Sequence, residues 1–281
     1  MKLCRYGEPG HEQPGLIDET GTLRDLSAVL CDIGPDALSP VSLAKLRGLT
    51  PSSLPIVQGN PRLGPPVNGI SKFVAIGLNY RDHAIEARLP VPSEPIIFMK
   101  ATSCITGPND GIRKPPHSTK LDWELELGVV IGTKASYVDQ AQALDYVAGY
   151  TIVNDVSERA FQSQSSQWTI GKGCDTFGPL GPWLVTTDDI PDPQNLNMTL
   201  HVNGVLRQNG NTRNMIFGVA EIVAYCSRYM TLMPGDVITT GTPPGVGMGM
   251  KPEPVWLQPG DEVRLWIDGL GEQRQIVTAE P

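Results

Sequence analysis

The chain has 281 residues, a formal net charge of −8 at pH 7 and a pI near 5.0, so it can form one large domain or a large and a small one. Its negative charge argues against nucleic acid or an anionic membrane as a partner, and no segment fits a signal peptide or a membrane span, so a small-molecule substrate is expected. The five cysteines are widely spaced without a CxxC pair, which predicts a reducing, cytoplasmic location and neither disulfides nor a zinc ribbon.

The first 70 residues predict a small α/β module. Short strands are expected at 2–5, 15–18 and 23–26 because apolar runs there end at turn residues, and imperfect helical spacing predicts a helix over 36–48. The stretch 51–66 is rich in proline, which favours extended structure. We therefore place a boundary near residue 70, with residues 1–70 and 71–281 as two units.

The second unit is predicted to consist mainly of strands. Its one long periodic helix is expected over 215–230, and a short helix is expected to open after the first strand, near 79–86. The fold class is therefore α+β and predominantly β. The predicted strands are 72–77, 96–99, 124–131, 146–153, 183–186, 198–202, 237–240 and 262–267.

Three carboxylates stand at alternating positions. Asp122, Glu124 and Glu126 would share one face of a strand, where like charges repel unless a cation lies among them. Asp155 ends another apolar strand and offers a third partner to Glu124 and Glu126. Carboxylates without histidine or cysteine favour Mg²⁺, Mn²⁺ or Ca²⁺. The alternative is an antiparallel strand whose acidic face lies in water.

His83 and Glu86 are spaced three residues apart, so on a helix the carboxylate lies beside the imidazole. Such a carboxylate can orient the ring and raise its basicity, which is typical of a general-base dyad. The alternative is a structural histidine with an incidental acidic neighbour.

Further polar residues suit the binding of an anionic substrate. Arg159, Gln162 and Lys172 could hold a carboxylate or stabilise an enolate oxygen, although isolated basic residues are commonly only solvated. Thr242 lies in the glycine-rich loop 241–249, which lacks the G-K-[ST] of a phosphate-binding loop. This loop either brings backbone N–H groups and the Thr242 hydroxyl near the substrate or is a structural turn.

Taken together and in order, these motifs resemble the fumarylacetoacetate hydrolase family. The resemblance covers essentially the whole second unit, and the first resembles the N-terminal module of short bacterial members. The motifs are Gly77-x-Asn79-Tyr80-x-x-His83-Ala84-x-Glu86, Asp122-Trp123-Glu124-x-Glu126-Leu127, Asn154-Asp155-x-Ser157-x-Arg159, Lys172, and Gly241-Thr242-Pro243-x-Gly245-Val246-Gly247.

The resemblance implies a mixed β-sandwich roll that binds Mg²⁺ or Mn²⁺ through Glu124, Glu126 and Asp155. It implies a water-activating dyad of His83 and Glu86, and it gives Asp122 no ligand role, leaving it behind the ligands or facing solvent. The positions that match substrate-binding or oxyanion-stabilising residues are Lys172, Arg159, Gln162 and Thr242. The resemblance also implies a homodimer, which we expect here.

The implied activity is metal-dependent hydrolysis of a C–C bond in a 2,4-dioxo acid to pyruvate and a second acid, such as lactate. The closest resemblance is to hydrolases of 2,4-dioxo-3-deoxy sugar acids, followed by acylpyruvate hydrolases. Cleavage of fumarylacetoacetate itself is not expected, because enzymes that perform it carry a further metal-site carboxylate where this chain has Val74, Ala75 and Ile76. The alternatives are a decarboxylase or oxo-enol isomerase on the same scaffold, and a non-catalytic Ca²⁺-binding β module.

Overall fold

The computed structural model describes residues 1–279, apart from the side chain of Ala87. The last two residues of the predicted second unit, Glu280 and Pro281, lie outside the described residues. The strands are β1 (Lys2–Tyr6), β2 (Gln13–Ile17), β3 (Leu23–Asp25), β4 (Leu63–Gly64), β5 (Phe73–Gly77), β6 (Ile96–Lys100), β7 (Ile105–Thr106), β8 (Ile112–Lys114), β9 (Leu121–Asp122), β10 (Leu125–Ile131), β11 (Val147–Asn154), β12 (Ser157–Glu158), β13 (Gly178–Thr186), β14 (Asn197–Val202), β15 (Val205–Asn211), β16 (Val237–Thr239), β17 (Glu262–Ile267) and β18 (Gly271–Ala279). The α-helices are α1 (Pro40–Arg47), α2 (Arg81–Ala87), α3 (Arg159–Gln162), α4 (Thr169–Lys172) and α5 (Val219–Tyr229), and short 3₁₀ helices occupy Pro35–Leu38, Pro51–Ser53, Thr102–Cys104, Gln140–Tyr146, Thr187–Asp189, Thr212–Asn214 and Gly247–Gly249.

Two large mixed sheets build the molecule within residues 1–279, and β9 and β12 form a separate antiparallel pair. Within residues 1–279 the larger has eleven strands in the order β3-β2-β1-β13-β11-β10-β16-β5-β6, with β4 added to β1 and β7 to β13. The smaller has the order β15-β14-β17-β18-β8. Most neighbours are antiparallel, but β16 runs parallel to β5, β18 to β8 and β13 to β7. The predicted α+β class with strands predominating is confirmed.

The core lies between the two sheets. Every residue of β10 and β11 is buried, which explains why these strands read as continuous apolar runs. Buried amides join the layers: the side-chain amide of Gln273 on β18 donates to the backbone oxygens of Ile152 and Gly181 on the larger sheet, at 2.8 and 3.0 Å. This core holds β10 and β11 rigidly side by side.

The N-terminal strands are continuous with the larger sheet, because β1 pairs with β13 in antiparallel register. The predicted division into residues 1–70 and 71–281 stays a prediction. No helix within residues 1–279 is long and apolar enough to cross a membrane.

Several predicted elements change at their ends for local reasons. The strand 262–267 is found as predicted. The predicted helix 36–48 divides at Ser39 into a 3₁₀ turn and α1, because Pro40 begins a new helix and the Ser39 hydroxyl accepts the N–H of Ser42. The helix predicted from 215 begins at Val219, because the N–H groups of Ile216 and Phe217 both donate to Asn79.

Asn79 fixes the start of α2, which carries the predicted dyad. It is fully buried, and its side-chain amide donates to the backbone oxygens of Thr240 and Phe217 at 2.8 and 3.0 Å. Its Oδ1 accepts the N–H of Phe217 at 2.8 Å. One side chain therefore joins the end of β5 to the chain after β16 and to the approach to α5.

We expect Asn79→Ala to lower the free energy of unfolding by about 2–4 kcal/mol, because it leaves buried backbone groups without partners. Urea denaturation measures this difference. The matched control is Asn60→Ala at an exposed position, which should change stability by no more than about 0.5 kcal/mol. Equal effects of the two substitutions would show that the buried amide does not hold this junction.

Candidate active site

Three buried carboxylates meet where β10 and β11 lie side by side. Glu126 belongs to β10, while Glu124 immediately precedes it and Asp155 immediately follows β11. The antiparallel register pairs Leu125 with Asn154, and the N–H of Asp155 donates to the Glu124 carbonyl at 2.8 Å. One carboxylate oxygen from each residue lies within 4.8 Å of the others. The structure thus brings the three predicted ligands together.

The alternative of an acidic face in water is wrong. Glu124, Glu126 and Asp155 are 5%, 2% and 1% exposed. The predicted alternation also breaks, because β9 ends at Asp122 and β10 begins at Leu125. Glu124 therefore lies in the irregular two-residue link between the two strands.

Two predicted basic residues neutralise part of this cluster. Arg159 Nη2 lies 2.5 Å from Glu124 Oε1. Lys172 Nζ donates to Glu124 Oε2 and, at 2.6 Å, to Asp155 Oδ2. Arg159 reaches Glu124 because α3 begins directly after β12, and the Glu158 side chain caps this helix by accepting the N–H of Ala160.

Asp122 is fully buried, so the alternative of a solvent-facing residue is wrong. Its Oδ2 accepts Arg159 Nε at 2.8 Å, and its Oδ1 accepts the N–H of Gly247 at 2.6 Å. Burial raises the pKa of this carboxyl, although the Arg159 charge opposes the rise. Asp122 therefore fixes Arg159 from behind.

Lys100, at the end of β6, was not among the predicted site residues. It is 2% exposed, and its Nζ donates at 2.5 Å both to Asp155 Oδ1 and to the backbone oxygen of Lys172. Its only sequence signal is a lysine closing the apolar run 96–99, which does not reveal whether the side chain points inward. Lys100 thus holds Asp155 against the segment that carries Lys172.

Glu126 differs from its neighbours because, within residues 1–279, it forms no salt bridge. Its Oε2 accepts the hydroxyl of Thr239 at 2.5 Å and the N–H of Gly241 at 2.7 Å. Burial raises the pKa of this carboxyl well above its usual value, and the charges of Asp155 and Glu124 raise it further. Burial also acts to raise the pKa of Glu124, but Arg159 and Lys172 outweigh it and hold that pKa low.

The predicted dyad is present on α2. His83 Nδ1 lies 3.0 Å from Glu86 Oε2, and the N–H of Gly245 donates to Glu86 Oε1 at 3.0 Å. Because Nδ1 contacts Glu86, Nε2 is the ring nitrogen left for contacts with a ligand or water. His83 also lines the same cavity as the acidic cluster.

The glycine-rich loop binds the protein's own carboxylates through its backbone. The N–H groups of Gly241, Gly245 and Gly247 donate to Glu126, Glu86 and Asp122, respectively. Gly245 has φ +103°, and a Cβ there would lie 2.0 Å from the Arg207 carbonyl oxygen, so this position requires glycine.

The site residues surround a cavity of about 290 Å³. Eight of the nine predicted site residues line this cavity: His83, Glu124, Glu126, Asp155, Arg159, Gln162, Lys172 and Thr242. The ninth, Glu86, does not line it but contacts His83, which does. Gln162 Oε1 accepts Arg159 Nη1 at 3.2 Å. The Thr242 hydroxyl donates to the Leu125 carbonyl at 2.9 Å and accepts the side-chain amide of Gln208 at 2.8 Å, so one lone pair is left to accept a hydrogen bond from a ligand.

Charge and ligand type fit a divalent metal ion. The site contains five carboxylates (Glu86, Asp122, Glu124, Glu126 and Asp155) and three cations (Lys100, Arg159 and Lys172), which leaves a formal excess of two negative charges when His83 is neutral. Oxygen ligands favour hard cations such as Mg²⁺ or Mn²⁺. The residues present therefore fit such an ion.

The chain is similar to known proteins over nearly its whole length. The family model described as "Fumarylacetoacetate (FAA) hydrolase C-terminal" matches residues 72–278. A Burkholderia multivorans protein named "Putative hydrolase" is 61% identical over 280 residues, covering 99% of each chain.

Solved structures of both hydrolases and an isomerase resemble the whole chain. Fumarylacetoacetate hydrolase from Exiguobacterium antarcticum has a TM-score of 0.86 at 36% identity, covering 100% of both chains. Maleylpyruvate hydrolase from Sphingobium sp. SYK-6, in complex with manganese(II) and pyruvate, has a TM-score of 0.84 at 29% identity, also covering 100% of both. The 2-hydroxyhepta-2,4-diene-1,7-dioate isomerase from Mycobacterium marinum has a TM-score of 0.75 at 34% identity, covering 100% of this chain and 99% of its own.

A double-mutant cycle tests the contact between Lys100 and Asp155. In metal-free protein we expect Lys100→Met to lower the free energy of unfolding by about 3–5 kcal/mol, because it removes one partner of a buried ion pair. Asp155→Asn should offset part of this loss, giving a coupling energy of about 1–3 kcal/mol in urea denaturation. Additive effects of the two substitutions would contradict a direct pairing.

Proposed function

Because the chain belongs to the fumarylacetoacetate hydrolase family, we propose that it hydrolyses a carbon–carbon bond of a 2,4-dioxo acid, releasing pyruvate and a second carboxylic acid. The observation that carries this proposal is one cavity lined by both the buried acidic cluster and the histidine of a His83–Glu86 dyad. A water-activating base beside a site for a chelating metal suits hydrolysis of such a substrate.

In this proposal Glu124, Glu126 and Asp155 hold Mg²⁺ or Mn²⁺. When bound, the ion would supply Lewis-acid polarisation and a template for the 2-oxo carboxylate end of the substrate. The buried triad supports this assignment, as does the similarity to a maleylpyruvate hydrolase crystallised with manganese and pyruvate.

The dyad acts on water. Glu86 accepts a hydrogen bond from Nδ1–H of His83, and this bond orients the ring. Nε2 is then unprotonated and can remove a proton from water. Water oxygen attacks C4 of the substrate, and the C3–C4 bond breaks. Its electron pair passes to C3 and becomes the enolate of pyruvate, which takes a proton at C3 to complete the product.

The basic residues bind the pyruvate half. Lys172 uses two ammonium hydrogens on Glu124 and Asp155, and its third can stabilise the enolate oxygen. Gln162 accepts from Arg159, which leaves its amide N–H groups as donors for the substrate carboxylate. Thr242 completes the proposed substrate contacts as an acceptor.

The proposed substrates are 2,4-dioxo-3-deoxy sugar acids, which yield pyruvate and an acid such as lactate, and then acylpyruvates. The isomerase alternative is favoured by the similarity to a solved dioate isomerase, because His83 could equally move a proton between carbon and oxygen. A decarboxylase would not need an activated water. A structural Ca²⁺ module does not account for Lys172 and the open cavity beside the acids.

A homodimer and a cytoplasmic location are also proposed. Tyr137 and Tyr229 are 80% and 65% exposed and lie on joined segments, because the N–H of Tyr137 donates to the Ser227 carbonyl. This exposed aromatic surface suits a second copy of the chain. Sedimentation equilibrium tests the dimer, and a purely monomeric protein would contradict it.

The reaction is tested with Mn²⁺, a 2,4-dioxo acid and ¹⁸O-labelled water. Mass spectrometry should find pyruvate and the second acid in equal amounts, with one ¹⁸O in the carboxylate of the second acid, because water adds at C4. Release of CO₂ without a second acid would instead indicate a decarboxylase, and tautomerisation alone would indicate an isomerase.

Removing the base should abolish most turnover. We expect His83→Gln to lower kcat by about 10²–10⁴-fold, the usual contribution of a general base. Glu86→Gln should lower kcat by a smaller factor, because it removes only the group that orients the ring. The control is His11→Gln at an exposed position, which should leave steady-state pyruvate release unchanged. Wild-type activity in His83→Gln would exclude the dyad mechanism.

A further inference from the structure

Two aromatic side chains, Phe98 and Trp168, line the cavity and form what we call its aromatic wall. Lys172 Nζ lies 5.3 Å from the ring centre of Phe98. The Phe98 ring in turn packs edge to face against Trp168, with ring centres 5.3 Å apart and planes at 68°. Phe98 therefore contacts both Lys172 and Trp168.

Trp168 fits its place because residue 77 is glycine. A Cβ on Gly77 would lie 2.6 Å from Trp168 Cζ3. The backbone at Gly77 does not have a positive φ, so glycine is required there for space rather than for conformation. Gly77 and Trp168 therefore shape this wall together.

The other lining side chains outside the predicted site residues are uncharged. Leu89 is one of four apolar residues, with Ile76, Leu78 and Met248, and Ser163 and Ser165 add hydroxyl groups. The Ser163 hydroxyl donates to the Ala160 carbonyl and that of Ser165 to the Gln167 carbonyl. A hydrogen bond from either hydroxyl to a second carboxylate on a ligand would have to replace one of these contacts.

The lysine and arginine that line the cavity are both engaged at the acidic end. Arg159 contacts Asp122 and Glu124, and Lys172 contacts Glu124 and Asp155. A divalent ion would only cancel the formal excess of two negative charges in that cluster. Within residues 1–279, the cavity lining contains no lysine or arginine besides Lys172 and Arg159, and its histidine, His83, is already paired with Glu86.

The geometry points to a 2,4-dioxo monoacid with an uncharged distal group as the substrate, and to Trp168 as the residue that selects the length of that group. This inference rests on the proposed hydrolase function. It distinguishes this chain from the similar isomerase, which is named for a dioate. A carboxylate placed against this wall would lose water without gaining a counter-charge.

One cation outside the wall provides the competing explanation. Arg88 is exposed at the end of α2 and immediately precedes Leu89. If its guanidinium reaches a bound ligand, the protein would accept a distal carboxylate. The charge of the substrate and the identity of residue 88 must therefore be varied together.

The charge test compares 2,4-dioxoheptanedioate with its 7-amide, which has nearly the same shape and one charge fewer. With Mn²⁺ present, we expect kcat/KM for pyruvate release to be at least about tenfold higher for the amide than for the dioate. Burying one polar group without a hydrogen-bond partner costs roughly that factor. Equal values, or a preference for the dioate, overturn the inference. A dioate preference that disappears in Arg88→Gln also overturns it and assigns the distal anion site to Arg88.

Binding separates this inference from the proposed reaction. The Mn²⁺-loaded His83→Gln variant should bind the amide at least about tenfold more tightly than the dioate in calorimetry, whether or not wild type turns either over. If wild type cleaves neither compound, the proposed function fails, while the ratio of dissociation constants still decides the charge preference. Tighter binding of the dioate overturns the inference.

The length test compares 2,4-dioxoheptanoate with 2,4-dioxopentanoate, whose distal group is two methylenes shorter. Trp168→Ala should lower kcat/KM for the longer substrate by at least about tenfold, mainly through KM, because one methylene in an apolar pocket can change kcat/KM by roughly 10–200-fold. The shorter substrate should change by less than about threefold. Equal losses on both substrates overturn the selective role.

Gly77→Ala should reproduce this pattern by displacing the indole. Its matched control is Gly34→Ala, where the nearest heavy atom to the new Cβ is 3.9 Å away, and this variant should retain wild-type ratios. If Gly77→Ala does not fold, the comparison of Trp168→Ala with wild type still decides the assignment. Unchanged substrate ratios in a folded Gly77→Ala protein overturn the packing argument.

Discussion

The burial of more negative than positive charge at the junction of β10 and β11 is the constraint on which the site depends. Such charges are tolerated in an interior only when hydrogen bonds or opposite charges compensate them. Arg159 and Lys172 compensate Glu124, and Lys100 compensates Asp155. Glu126, by contrast, forms no salt bridge in the described part of the chain and accepts hydrogen bonds from a hydroxyl and a backbone N–H. This imbalance is the physical reason for proposing a divalent cation.

The glycine-rich loop connects the two parts of the proposed chemistry. Its backbone N–H groups reach Glu126 in the acidic cluster, Glu86 in the dyad, and Asp122 behind Arg159. These fixed donors require no side-chain ordering, so they can hold three carboxylates at low entropic cost. The loop that the sequence left as either a substrate contact or a structural turn thus positions acids on both sides of the cavity.

The sequence predicted the parts of the site that follow from periodicity and chain order. Alternation identified Glu124 and Glu126, the end of an apolar strand identified Asp155, and helical spacing identified the dyad; resemblance to the family then joined them. Lys100 could not be predicted, because a strand-end lysine is usually exposed and only tertiary packing turns this one inward. The contact of Gly77 with Trp168 likewise depends on segments far apart in the chain.

Calorimetric titration with Mn²⁺ tests the central claim most directly, because it measures the proposed metal site without requiring the substrate. The account predicts one ion per chain for wild type and for the exposed control Glu253→Gln. It predicts binding weakened by at least about 100-fold in Glu126→Gln, because the Glu126 carboxylate forms no salt bridge within residues 1–279 and is the most dependent on the metal. Wild-type affinity in Glu126→Gln, or no binding by wild type, would contradict it.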